Sequence, residues 1–192
     1  MNRFSKIFFT SLFLLFAVLI GVETSFGQKM NGLKDTTDNI IIYGDSFIFS
    51  IHEPVGWNGN VENAKNYNAN IIFYKSKEDL KKSGGTLIQI ITYKKIDEEV
   101  NKDLELDIST IKEKNHDLIQ QNLEVSNKNN FPCFSKLVYV ENIFYQYIAY
   151  INPGNKFHNS FSVSMNIPKR PATTEELSAF REIISTLVVF KR

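Results

Sequence analysis

The sequence is short of the residues that staple, ligate or catalyse. One cysteine, Cys133, stands among 192 residues, so no disulfide can close within the chain and the fold must rest on packing. The three histidines, His52, His116 and His158, have no zinc-motif spacing such as His-x-x-x-His, and no second cysteine joins them. No metal or cofactor is therefore expected. Charge of one sign is lacking too: 22 Lys and Arg face 21 Asp and Glu. A near-neutral chain without a basic tract argues against nucleic acid or an anionic membrane as its main partner. After residue 22 no apolar run approaches the roughly 20 residues of a membrane span.

What the chain does have begins at its N-terminus. Arg3 and Lys6 precede the apolar run Ile7 to Val22, and small Ser25 and Gly27 precede Gln28. This is the layout of a secretory signal peptide over 1–27, cleaved between Gly27 and Gln28. The run of 16 residues is short for an uncleaved anchor. The expected product is exported, periplasmic or secreted, with no stable membrane span. Removing 27 residues from 192 leaves 165, which carry 20 basic and 20 acidic side chains. That length suits one domain with its own core. Residues 28–38 read as a flexible mature N-terminus and 39–192 as the domain.

The chain is organised around Gly44–Trp57. Asn39–Tyr43 and Phe47–His52 read as two strands joined by a Gly-Asp-Ser turn, the second ended by Pro54. Asn58-Gly59 reads as a turn and 61–67 as one or two helical turns. Ile71–Tyr74 is a buried strand, and Ser76 with Asp79 suggests a short capped helix. Thr86–Tyr93 is β-branched and strand-like. Val100, Leu104, Ile108, Ile111 and Leu118 share one helical face, with Asp103, Glu105, Asp107, Lys112 and Glu113 assigned to its solvated side. Leu123–Ser126, Cys133–Val140, Ile143–Ile151 and Phe157–Asn166 read as a meander. Its hairpin turn is Glu141-Asn142, and its serine-faced last strand is expected at an edge or half-exposed. Thr173 and Glu176 form a capping box that opens a last helix with Leu177, Phe180, Ile184 and Leu187 inward.

Few residues carry chemistry. Gly44-Asp45-Ser46 resembles the first block of the GDS(L) hydrolases, with Ser46 as nucleophile. That family's Gly-x-Asn-Asp block is missing, no Asp-x-x-His precedes any histidine, and a strand rather than a helix follows Ser46. The hairpin-turn reading is preferred. Ser109-x-x-Lys112 lacks the companion motifs of penicillin-recognising enzymes and reads as helix surface. Cys133 sits in an apolar strand and reads as a small packed residue. Trp57, the only tryptophan, is either a binding anchor or a plug closing one end of the core. The plug is favoured because tryptophan is usually well buried.

Three stretches together resemble the PsbP-like superfamily, which includes extrinsic subunits of photosystem II, a nuclear-import factor that binds a small GTPase, and exported bacterial domains of unknown role. They are Phe47-x-Phe49-x-Ile51 running into Pro54-x-Gly56-Trp57, the segment Ala149–Gly154, and Phe180-x-x-Ile183-Ile184-Ser185-Thr186-Leu187. The resemblance spans roughly 40 to 190. It implies an α+β fold, an antiparallel β-sheet sandwiched between helices, and no catalytic residue, metal ligand or cofactor. The expectation is an exported, non-enzymatic module of the cell envelope that binds a protein or small ligand at a loop-rich end of the sheet. A hydrolase centred on Ser46 and a purely structural envelope protein are the alternatives.

Overall fold

The computed structural model describes residues 32–34, 38–44, 47–80, 85–95 and 99–191. The expected signal peptide over 1–27, Asp45, Ser46 and most of 28–38 lie outside them. The chain forms two antiparallel sheets. In the smaller, β1 (Gly32–Lys34), β2 (Asn39–Tyr43), β3 (Phe47–His52) and β11 (Val188–Lys191) pair in that order. The larger runs β4 (Asn58–Asn60), β5 (Ile71–Tyr74), β6 (Leu87–Lys94), β10 (Asn159–Pro168), β9 (Phe144–Ile151), β8 (Cys133–Val140) and β7 (Ile119–Asn122).

Alternation makes the hairpin of β2 and β3. Ile40, Ile42, Phe47, Phe49 and Ile51 point inward, and Ile42 pairs with Phe49 in register. Phe47 and Phe49 meet Phe161 of β10 edge-on, at centroid distances of 6.1 and 5.2 Å. The main core lies here, between the small sheet, the inner face of the large sheet and α2 (Thr174–Thr186). α2 contributes Ala179, Phe180, Ile183 and Ile184, all buried. Residues 54–57 leave β3 through a turn in which Gly56 has φ +78°, and the Trp57 amide bonds the Pro54 carbonyl at 3.0 Å. Gly59 has no side chain where the Ile40 side chain packs, which lets β4 lie against the small sheet.

The opposite face of the large sheet carries α1 (Val100–Lys114). Val100, Leu104 and Ile108 pack on Val138, Ile148 and Tyr150. A helix thus lies on each face of an antiparallel sheet, which is the α+β sandwich expected. The division of its strands between two sheets was not foreseen.

Several local expectations are corrected. Asp103 is buried and Asp107 half-buried, so neither belongs to the solvated side of α1. Strand β10 is central rather than at an edge; on its serine face Ser160 and Ser164 are buried and Ser162 is half-buried. Asn58-Gly59 lies in a strand, and Leu123–Ser126 is irregular, the strand lying earlier at Ile119–Asn122. Ser76 and Asp79 do bond, at 2.8 Å from the Ser76 amide, but they close a turn and no helix follows in residues 77–80. The β8–β9 hairpin pairs Val140 with Phe144, so its loop has three residues, with Asn142 at φ +60°.

Candidate functional site

At one end of the large sheet, where β5 and β10 finish and β6 begins, four segments border an open cleft of about 540 Å³. Lys75 and Asp79 come from the turn after β5, Gly85 and Thr86 from the approach to β6, Arg170 from the loop after β10, and Thr173–Glu176 from the start of α2. The centre of this construction is the carboxylate of Glu176. It is 4 % exposed, yet the capping box requires it here: the Thr173 amide donates to Oε2 at 2.8 Å, while Thr173 Oγ1 accepts from the Glu176 amide at 3.2 Å.

The same carboxylate takes three more bonds from distant residues. Arg170 donates from Nη1 to Oε2 at 2.7 Å and from Nη2 to Oε1 at 2.8 Å, a two-pronged clamp. Thr86 Oγ1 donates to Oε1 at 2.6 Å. Burial pushes the Glu176 carboxyl up, but the bonds from Arg170, Thr86 and Thr173 outweigh it and bring its pKa down to about 2. Arg170 is raised in turn, chiefly by its hydrogen bonds to Glu176. Its side chain remains 49 % exposed, so a fixed guanidinium borders the cleft. Beside it Lys75 Nζ pairs with Glu175 at 2.8 Å and lies 5.6 Å from the centroid of the Trp57 ring.

This arrangement orients polar groups and is poorly suited to moving protons. Thr86 and Glu176 have the spacing of a hydroxyl nucleophile and its base, but a carboxylate held near pKa 2 has little tendency to accept a proton at neutral pH.

The residues singled out in the sequence are dispersed. Trp57 is 4 % exposed and part of the main core, and its Nε1 has no hydrogen-bond partner among the described residues. It packs into the core, with Lys75 across its ring. Ser46 lies outside the described residues. His52 Nδ1 contacts Glu182 Oε1 at 2.8 Å at the base of α2. Ser109 is exposed on α1. Cys133 is half-buried, and burial pushes its thiol up to about 11. Among the described residues no three His, Cys, Asp or Glu side chains are grouped to hold a metal, and no helix is long and apolar enough to cross a membrane. The sequence pointed to the Thr173–Glu176 capping box, but only as a helix start. Its partners Arg170 and Thr86 carried no signal in the sequence.

Fold and cleft together define a mixed α+β domain with an antiparallel sheet between helices and a polar site at one sheet end. In fold it is similar to the solution structure of cyanobacterial PsbP (CyanoP) from Synechocystis sp. PCC 6803, with 11% identity, a TM-score of 0.43, and coverage of 84% of this chain and 92% of that one. A likeness of this size says nothing about ligand or activity. No family model and no curated protein matches the chain.

Proposed function

We propose that the chain is an exported, non-enzymatic binding domain of the cell envelope, and that its ligand, a protein segment or a small polar molecule, enters the cleft between Lys75, Thr86, Arg170 and the start of α2. The observation that carries this reading is the clamp on Arg170. A buried carboxylate fixes a half-exposed guanidinium in one orientation, which lowers the ordering cost of a contact made there. The cleft's volume lies in the range of ligand pockets, and its charges are nearly balanced by internal pairing of Arg170 with Glu176 and Lys75 with Glu175. A ligand with hydrogen-bonding groups of both kinds suits such a lining better than a highly charged one. The depressed pKa of Glu176 favours binding over catalysis.

The test is capture of tagged mature protein from the envelope fraction, beside a Thr174→Trp variant. Thr174 is exposed at the rim, so the indole fills the cleft without touching the core. A protein or small molecule retained by the parent and lost from a folded Thr174→Trp protein is expected. Equal retention by both would move the site elsewhere, and retention of nothing by either would contradict a binding role.

A further inference from the structure

Beneath α1 lies a second buried polar group, remote from the cleft. Asp103 and Asp107 are one helical turn apart and face the sheet. Tyr93 of β6 and Tyr150 of β9 stand against them, their rings edge-to-face at 5.4 Å. Tyr150 Oη donates to Asp107 Oδ2. From β10 come Ser160, fully buried beside Tyr93, and Ser162 beside Tyr150. The hydroxyls of Tyr93 and Ser160 face one another, but neither meets hydrogen-bond geometry with a partner among the described residues. The rest of the contact is apolar: Val100, Leu104 and Ile108 on Val138 and Ile148.

Among the described residues, the influences on Asp107 are burial, the Tyr150 phenol and the neighbouring Asp103 carboxylate, with no Lys, Arg or His. Those that act on the two phenols are likewise carboxylates, each other and serines. A carboxylate buried without a cation keeps its charge at a cost, and taking up a proton relieves it without requiring a cavity. Burial, set against the Tyr150 hydrogen bond, raises the Asp107 carboxyl above its ordinary range, and Asp103 adds to the rise.

We propose that α1 is a proton-tightened cover, held more firmly on β8 and β9 when Asp107 is protonated and more loosely when it is charged. The sign follows from linkage. A carboxyl that binds its proton more tightly in the docked state than in the open one contributes docking strength that is fully present at low pH and lost as pH rises through the docked-state pKa. Each unit of elevation is worth a factor of ten in the opening equilibrium. Opening of α1 bares the apolar strip Val138, Ile148 and Tyr150, so pH sets how often that strip meets solvent.

Amide hydrogen exchange of the whole mature protein between pH 5.5 and 8, corrected for intrinsic exchange, tests this. Protection of α1 amides is expected to rise toward the acid end of the range, by up to tenfold for each unit by which the docked-state pKa exceeds the open-state one, while α2 amides in the same samples stay level. Asp107→Asn should make α1 protection independent of pH. Tyr150→Phe, which removes the donor that stabilises the charged form, should move the rise to higher pH. A flat profile in the parent, or an unchanged rise in Asp107→Asn, would overturn the proposal. So would an equal rise produced at fixed pH by calcium chloride and lost in Asp107→Asn, because the countercharge would then be a metal cation.

Discussion

The two helices bury carboxylates in opposite ways. Glu176 in α2 meets a guanidinium, a hydroxyl and a backbone amide, and its pKa falls to about 2. Asp107 in α1 is pushed up by burial and by the neighbouring Asp103 carboxylate, against a single lowering bond from the Tyr150 phenol. The starts of the helices differ in the same sense. α2 begins with a complete capping box and finishes where buried Asn127 donates to the Ile184 and Leu187 carbonyls at 2.7 and 2.8 Å. α1 begins at Glu99, whose side chain makes no capping bond. Burial alone therefore does not fix what a charge contributes; the count of donors does. The well-tied helix frames the cleft, and the loosely tied one covers the other face.

The largest effect should come from removing the centre of the tied helix. Glu176→Ala leaves Arg170, Thr86 and the Thr173 amide without their acceptor, and should cost about 3 kcal/mol in urea denaturation at pH 7. The pH dependence sharpens this. A carboxyl depressed in the folded state contributes stability that is present above its unfolded pKa and lost as pH falls through the folded one. For Glu176 that window runs from about 4.5 down to about 2. The loss is at most about 3 kcal/mol, less because half-exposed Arg170 is screened. The same limb should be missing from Glu176→Ala. Next in size, Asn127→Ala strips two carbonyls at the end of α2 and should cost about 2 kcal/mol by the same assay. The smallest effect belongs to His52. It and Glu182 are 33% and 37% exposed, so His52→Gln should shift stability by under about 0.5 kcal/mol.

How much of this could be read in the chain depends on range. The strand pairs β2–β3 and β8–β9 follow from local alternation and turn residues, and the capping box from a spacing of three. Asp107 was legible as well. It lies seven residues after Val100 and four before Ile111, in the middle of the apolar stripe, and was assigned to solvent on residue type alone. The serines of β10 suggested an edge for the same reason, whereas Gln89 and Ser164, paired across strands at 3.0 Å, are buried in the sheet's centre. Strand β11 follows α2 with only Leu187 between, so its apolar residues blend into the helical pattern. The cleft could not be read at all. Glu176 gains Arg170 from six residues away and Thr86 from ninety, and only the folded sheet end brings them together.

The most direct measurement compares Glu176→Gln and Asp107→Asn, the one removing a buried and the other a half-buried carboxylate at nearly constant shape, by urea denaturation of the protein from Gln28 onward at pH 7. Unequal effects are expected: a loss of about 2 kcal/mol or more for Glu176→Gln, and no loss or a small gain for Asp107→Asn. Comparable losses in both would contradict it, because Asp107 would then be as well compensated as Glu176.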